Sequence, residues 1–264
     1  NKELKIEWSG DMKIQTVQGD ITKVDDLEAI VPLNLAEDWD HSGLQIGNVH
    51  HELQGILLCL NVDAYTIKQA IETNCNLIIS HHPFLFNRFN TIDLETTFGQ
   101  NIEAILSHHI TVYAMHTNYD KARMNLQLLK KLGCKNIEAL EFVGFGILNQ
   151  ASQPLDFMEK VKQTFGLAHL RVVGHLPNGI QKISMCAGAG HDFINEVLDK
   201  SDVYLTGDLT YTHAMDIILR KQGAVIEVPH FIEAFFKEDL AEILTKQYQF
   251  RCVQADEKDY FQIY

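Results

Sequence analysis

Two adjacent histidines, His81 and His82, stand where a buried strand is expected to end. They follow the apolar run Asn-Leu-Ile-Ile-Ser at 76–80 and precede a proline. Neighbouring side chains on a strand point to opposite faces, but the chain turns at the strand's carboxyl end, so both imidazoles can converge on one crevice. Because imidazole nitrogens bind metal ions, the doublet is a candidate ligand pair.

Further candidate ligands follow two later strands of the predicted fold. Asp120 comes after the predicted strand 110–115, and His230 and Glu233 come after the predicted strand 224–228. Mixed nitrogen and oxygen donors suit zinc, iron or manganese and exclude a structural site made of thiolates. Five ligands are too many for one open tetrahedral ion, whereas two ions about 3.5–4 Å apart, bridged by a carboxylate, use all five. Such a pair can deprotonate a water and clamp the group to be cleaved.

Most of the 13 histidines have a simpler interpretation as solvated or hydrogen-bonded residues. The doublet of His108 and His109 is an instructive control, because it ends a predicted helix. Protonated histidine is favoured there by the negative end of the helix dipole, and no metal is required. Asp120 by itself could equally be a turn residue or a helix cap.

Two glycine-containing turns carry weaker signals. The turn Gly-Ala-Gly at 188–190 lacks the complete phosphate-binding motifs, so a tight strand-to-helix turn is a better interpretation than a phosphate cradle. For Asp208, which follows Gly207, a helix cap is the simple interpretation, and contact with a metal ligand is the sharper alternative. Neither a GxSxG motif nor a catalytic-cysteine setting occurs in the sequence, so covalent catalysis has little support.

Strand and helix patterns alternate from about residue 25 onward, which predicts an α/β fold with right-handed parallel crossovers. The clearest β-α-β unit comprises the strand 55–60, a helix over 64–73 that Asp63 could cap, and the strand 76–80. The other expected helices cover 24–36, 97–109, 126–132, 155–165 and 211–220, with two more that begin near 192 and 233. The other expected strands cover 110–115, 183–186, 203–206 and 224–228, and a short strand is expected in the C-terminal tail.

Length allows one large or two medium α/β domains, and the weaker pattern between about 125 and 180 favours a second, smaller domain. Composition predicts a cytoplasmic protein. The chain has 264 residues, a formal charge of −13 and five dispersed cysteines without a CxxC motif, which is typical of a reducing compartment. No membrane span or cleavable signal is visible. We expect one domain over 12–125 and 235–264 and the other over 126–234. Residues 1–11 could be a leader that is foreign to the protein, with Met12 as the native start.

Five short motifs in this chain occur in the order seen in the NIF-three-like family, whose members are often labelled GTP cyclohydrolase I type 2 homologues. They are Asp-His-Ser-Gly-Leu-Gln-Ile-Gly at 40–47, Ser-His-His-Pro at 80–83, Tyr-Ala-Met-His-Thr-Asn-Tyr-Asp at 113–120, Thr-Gly-Asp at 206–208 and Pro-His-Phe-Ile-Glu at 229–233. The resemblance covers about 12–264. Their combination is specific, although each motif alone is not.

The resemblance implies two α/β domains of the NIF-three-like fold, with mixed sheets flanked by helices. It also implies a toroidal homohexamer with a dinuclear metal site that faces the interior. By position, the family's metal ligands fall on His81, His82, Asp120, His230 and Glu233.

Two departures from the family's pattern put substrate contacts in doubt more than metal binding. His41 occupies a position that is usually asparagine, and the usual Tyr-His after Gly-Asp is Tyr-Thr at 211–212, with the histidine one place later at 213.

These features predict a metal-dependent hydrolase that acts on a nucleotide-like or phosphorylated small molecule and binds two divalent ions per chain. Asp120 or Glu233 would bridge the ions, and His116 is a candidate acid/base group or a partner of a ligand. The residues do not establish GTP cyclohydrolase chemistry. The alternative is a non-catalytic ring that acts as a scaffold or as a metal-handling or regulatory protein. A ring that threads nucleic acid is a weaker option, which the acidic composition disfavours.

Overall fold

The computed structural model describes residues 24–48, 50–220 and 223–262, and these form two compact units. Residues 24–122 and 234–262 form a unit around a sheet of five strands, which we call the five-stranded unit. Residues 123–233 contain a sheet of six strands and form the six-stranded unit. The predicted leader at 1–11 lies outside the described residues.

The regular elements are as follows, in chain order. The helices are α1 (Ala64–Glu72), α2 (Thr97–Ser107), α3 (Thr117–Tyr119), α4 (Asn125–Lys131), α5 (Pro154–Phe165), α6 (Ile194–Val197), α7 (Tyr211–Arg220) and α8 (Phe236–Tyr248). The strands are β1 (Gly43–Ile46), β2 (Ile56–Cys59), β3 (Leu77–Ser80), β4 (Thr111–Ala114), β5 (Cys134–Leu140), β6 (Val143–Ser152), β7 (Arg171–Gly174), β8 (Ile180–Cys186), β9 (Val203–Thr206), β10 (Ala224–Glu227) and β11 (Cys252–Gln254).

The sheet of the five-stranded unit has the order β1-β4-β3-β2-β11, and only the β1–β4 pairing is antiparallel. Strands β2, β3 and β4 are buried at every residue, which explains why they appear in the sequence as continuous apolar runs. The predicted β-α-β unit is confirmed. Asp63 caps α1 as expected, because its carboxylate accepts the backbone N–H of Thr66 at 2.8 Å.

The three central strands of this sheet end in register. Cys59 of β2 lies beside Ser80 of β3, and Ser80 lies beside Ala114 of β4. The residues that follow each strand therefore leave the sheet at the same edge. This register brings the segments after β2, β3 and β4 side by side.

The sheet of the six-stranded unit has the order β5-β6-β8-β9-β10-β7. Its middle strands β8, β9 and β10 are parallel, whereas β5, β6 and β7 pair antiparallel with their neighbours. Thr206 of β9 lies between Cys186 of β8 and Glu227 of β10. The segments that follow these three strands also leave from one edge of their sheet. The mixed sheets with flanking helices confirm the predicted fold class.

The predicted helix over 24–36 is wrong. The chain forms two short 3₁₀ segments, Val24–Ala29 and Leu33–Leu35, on either side of Pro32. Proline lacks a backbone N–H and disfavours the helical conformation in the residue before it, so an α-helix cannot continue through this position.

Sequence patterns also miss several antiparallel elements. The β5–β6 hairpin falls between two helices where the expected pattern is weak, and β1 and β7 were not anticipated. Gly144 and Gly146 interrupt the apolar pattern of β6, yet they are needed for packing, because a Cβ on Gly146 would come within 2.7 Å of the Cβ of Cys134.

The other predicted helices form with adjusted ends. The helices expected near 192 and 233 each begin as 3₁₀ segments, His191–Phe193 and His230–Phe235. None of the helices within the described ranges combines the length and the apolar character that a bilayer crossing needs.

Candidate metal centre

The five-stranded unit gathers three imidazoles at the carboxyl edge of its sheet. His81 and His82 follow β3, and His116 follows β4. Each of the three offers a ring nitrogen, and these atoms lie within 4.8 Å of one another. Ring centroids are 5.1 Å apart for His81 and His82, 5.3 Å for His81 and His116, and 5.6 Å for His82 and His116. The predicted convergence of the doublet is therefore present, with His116 as a third member.

Hydrogen bonds at Nδ1 fix the orientation of both rings of the doublet. Nδ1 of His81 donates to the backbone carbonyl of Met115 at 2.8 Å, and Nδ1 of His82 donates to Oδ1 of Asn61 at 2.7 Å. An imidazole that donates through Nδ1 has its lone pair on Nε2, the tautomer in which Nε2 is the ligand atom. Both rings are thus held in a metal-binding form.

His116 is held in the same way by a carboxylate. Its Nδ1 lies 2.8 Å from Oδ1 of Asp40, whose side chain is shielded from solvent. Burial raises the pKa of Asp40, but hydrogen bonds from His116, Ser42 and Thr117 outweigh that effect and hold the pKa well below its usual range. Asp40 is therefore ionised at neutral pH and keeps the proton of His116 on Nδ1.

Asp120 lies beside the doublet, as predicted. Its Oδ1 is 3.5 Å from Nε2 of His81. Asp120 follows the short helix α3 and begins a π-helical turn at Asp120–Met124, a local widening of the helix that is frequent at functional sites. This unit therefore combines imidazole nitrogens with one carboxylate oxygen.

A buried ion pair supports the loop after β2 that contains Asn61. The carboxylate of Glu257 accepts the backbone N–H groups of Leu60 at 2.8 Å and Asn61 at 3.0 Å. The same carboxylate binds the ammonium of Lys237 at 2.9 Å, and both side chains are more than nine-tenths buried. The Asn61 carboxamide that orients His82 thus extends from a backbone fixed by Glu257.

The six-stranded unit carries a second set of donors. Nδ1 of His230 lies 2.7 Å from Oδ2 of Asp208, and its Nε2 lies 2.9 Å from Oε2 of Glu233. Glu233 and then Asp208 raise the pKa of His230 to about 10. The same negative potential favours a divalent cation on Nε2, which would replace the proton there. Asp208 thus contacts a predicted ligand, which supports the sharper of its two interpretations.

A glycine makes room for the Glu233 carboxylate. Gly188 has a φ of +65°, and a Cβ at this position would overlap Oε1 of Glu233 and come within 3.5 Å of the His230 ring. The glycine turn after β8 is therefore required by the carboxylate beside it. The predicted tight turn between β8 and the helical segment at His191–Phe193 is confirmed, and the space it leaves for Glu233 is a further role that the sequence did not indicate.

Each unit thus holds its own share of the predicted ligands. His81, His82 and Asp120 lie together in one unit, and His230 and Glu233 lie together in the other. That all five bind the same pair of ions stays a prediction. No sequence pattern indicated Asn61 as a ring anchor, because it lies 21 residues from His82. Asp40 lies in a recognised motif, but its contact with His116 spans 76 residues.

Comparisons with known proteins give one consistent family. Residues 20–259 match the family model described as Duf34/NIF3 (NGG1p interacting factor 3). A Clostridium acetobutylicum protein named GTP cyclohydrolase 1 type 2 homolog is 33% identical over 218 residues, which are 78% of this chain and 81% of that protein.

Solved structures give the same fold. A hypothetical protein from Staphylococcus aureus superposes with a TM-score of 0.85 at 24% identity, over 92% of this chain and 99% of that one. A Bacillus cereus protein described as related to NIF3 gives a TM-score of 0.82 at 20% identity, over 93% of this chain and 100% of that one. At these identities the structures support the fold alone.

Proposed function

This chain belongs to the Duf34/NIF3 family, and from the chemistry of its donors we propose that it binds two divalent metal ions and hydrolyses a nucleotide-like or phosphorylated small molecule. The proposed ligands are His81, His82, Asp120, His230 and Glu233, and the proposed metals are iron, zinc or manganese. The nucleotide-like substrate is suggested by the name of the relatives, GTP cyclohydrolase 1 type 2 homolog.

The orientation of the histidines carries the proposal. Each ring of the doublet, together with His116 and His230, binds an oxygen acceptor through Nδ1. Nε2 is then available as the metal-binding atom of the ligand histidines and as the proton acceptor of His116, and carboxylates lie close to Nε2 of His81 and of His230. Residues with these donors and these outer hydrogen bonds fit zinc, iron or manganese and do not fit a hard oxygen-only cation site.

The chain's own groups have separate roles in the proposed reaction. When bound, a pair of divalent ions lowers the pKa of a water and polarises the bond that is cleaved. His116 accepts a proton from the attacking water at Nε2 and returns it to the leaving group, because Asp40 keeps the other ring proton on Nδ1. Asp40 orients the ring, in the way that a carboxylate orients the histidine of a catalytic triad.

We also propose the assembly and location that the sequence analysis predicted, a homohexameric ring in the cytoplasm. Both follow from the family resemblance and from the dispersed cysteines. Sedimentation analysis of the purified chain tests the ring, for which a mass of six chains is expected. A monomer at all concentrations would contradict it.

Turnover by the metal-loaded protein tests the enzymatic proposal. We expect it to hydrolyse at least one member of a panel of nucleotides and phosphate esters. H116A should lower kcat by about 100- to 10,000-fold with the metal content unchanged, because it removes the proton acceptor. H108A is the matched control, since His108 is an exposed histidine at the end of α2, and it should retain full activity.

Two outcomes would contradict the enzymatic proposal. If the protein binds two equivalents of metal and turns over no substrate, the non-catalytic ring with a metal-handling or scaffolding role is favoured instead. If turnover survives unchanged in H116A, His116 is not the proton acceptor.

A further inference from the structure

Three aromatic side chains form a corner next to His116. The rings of Trp39 and Phe86 lie 6.3 Å apart with their planes at 72°, and His41 lies 6.1 Å from Phe86 at 84°. His116 contacts both large rings, at 6.2 Å from Trp39 and 6.3 Å from Phe86. We call Trp39, His41 and Phe86 the aromatic corner. It is continuous with the imidazoles of the candidate metal centre.

The large rings of the corner are open to solvent. Trp39 is 58% exposed and Phe86 is 45% exposed, although the imidazole beside them is mostly covered. Large aromatic side chains are costly to leave in water, and grouped exposed aromatics mark ligand or partner sites. Because the Trp39 and Phe86 rings are nearly perpendicular, a flat ligand ring can stack on the face of one and point its edge toward the other.

The exposure of Trp39 does not come from a loose loop. The backbone N–H of Glu37 donates to Oγ1 of Thr117 at 3.0 Å, and Glu37 pairs with Lys121. On the other side of Trp39, the Asp40 carboxylate accepts the Thr117 hydroxyl at 2.6 Å. The tryptophan is thus held between two anchored residues, which makes its surface preorganised for binding.

The side chain of Gln45 connects the two loops that carry Trp39 and Phe86. Nε2 of Gln45 donates to the backbone carbonyl of His41, and its Oε1 accepts the backbone N–H of Leu85 at 3.1 Å. Leu85 precedes Phe86, so Gln45 sets the separation of the loops that carry Phe86 and Trp39. A fixed separation is what a site for a rigid planar ligand requires.

We propose that the aromatic corner binds the planar heteroaromatic ring of a small-molecule substrate by stacking on Trp39 and Phe86. The proposal rests on the proposed function for the chemistry at the adjacent histidines. It adds that the substrate carries a planar ring next to the group that reacts. His41, which departs from the usual family residue, then contributes to ring selectivity.

Tryptophan fluorescence tests whether a ligand binds beside Trp39 in the metal-loaded chain of 264 residues. The sequence contains two tryptophans, Trp8 and Trp39, so in W8F the emission comes from Trp39. The probes are guanosine monophosphate, nicotinamide mononucleotide and flavin mononucleotide, with ribose 5-phosphate as the control without an aromatic ring. We expect saturable quenching by at least one of the three aromatic probes and none by ribose 5-phosphate.

Calorimetric titration with the probe that quenches Trp39 measures how much the aromatic corner contributes to binding affinity. W39A/F86A should weaken its binding by about 10- to 100-fold, because stacking on an aromatic side chain is lost. The matched control is F89A, which removes a 41% exposed aromatic of the same loop that packs against Phe98 outside the corner. F89A should bind the probe like the unaltered chain.

Measuring the metal content of the same protein distinguishes failure of this proposal from failure of the proposed function. If the chain holds two equivalents of metal and none of the three probes quenches Trp39, the corner is not a ring site. The proposal also fails if W39A/F86A binds the probe as tightly as the unaltered chain, or if this variant changes only self-association in light scattering. Failure to bind metal would contradict the proposed function, whereas saturable quenching of Trp39 would still support the corner.

Discussion

The five-stranded unit contains three pairs of adjacent histidines, at 50–51, 81–82 and 108–109. We compare His81-His82, the first pair below, with His108-His109, the second pair, because the elements before them decide how each is used. His81 and His82 follow β3 at the carboxyl edge of a parallel sheet, and their rings meet that of His116. His108 and His109 follow α2, and both are exposed. The same dipeptide therefore lies in a donor cluster after a central strand and in solvent after a surface helix.

A hydrogen bond at Nδ1 alone does not distinguish the two pairs. Nδ1 of His108 donates to the carbonyl of Ala104 in its own helix at 2.9 Å, so this ring is oriented as well. His109 has a φ of +55°, as is common where a helix ends. What separates the pairs is that the rings at the sheet edge are anchored by other elements and each bring a ring nitrogen to the cluster with His116.

Breaking the buried Glu257–Lys237 ion pair, which supports the loop that anchors His82, should have the largest effect on stability. E257Q removes the carboxylate that binds Lys237 and the backbone N–H groups of the loop that contains Asn61. We expect the free energy of unfolding to fall by about 3–5 kcal/mol, because a buried ammonium loses its partner. Urea unfolding measures the change.

The control is E103Q, a substitution on α2, the helix that leads to the second pair. It should change the free energy of unfolding by no more than about 0.5 kcal/mol, as is usual for surface positions. Equal effects of E257Q and E103Q would show that the loop after β2 needs no buried ion pair.

Removing one ring anchor should affect metal binding more than folding. N61A deletes the acceptor for Nδ1 of His82, and loss of such an outer partner weakens metal affinity by about 10- to 100-fold. Competition with a chromophoric chelator measures the affinity. N48A is a control from another loop of the same unit, and it should leave the affinity unchanged. An unchanged affinity in N61A would contradict the anchoring role.

A substitution in the second pair should change stability only slightly. H108A removes one exposed hydrogen bond to the end of α2 and should lower the free energy of unfolding by less than about 1 kcal/mol. Thermal unfolding with and without added metal checks this. A metal-induced rise in melting temperature that vanished in H108A would mean that the second pair also binds metal.

The two pairs also show how much of the site could be predicted from the sequence. The end of β3 was predictable because a strand buried on both faces appears as a continuous apolar run before His81. Asn61 and Asp40 were not predicted as anchors, since their contacts depend on strand register and on loops far apart in sequence. The β5–β6 hairpin was missed because its exposed polar residues and its internal glycines hide the alternation of a strand.

Metal analysis of two double variants decides whether the first pair binds metal and the second does not. Wild type, H81A/H82A and H108A/H109A would each be loaded with metal, desalted and measured by mass spectrometry, with circular dichroism to confirm folding. We expect two equivalents per chain in wild type and in H108A/H109A, and less than one in folded H81A/H82A. Two equivalents in H81A/H82A, or less than one in wild type under every loading condition, would contradict the proposed dinuclear site.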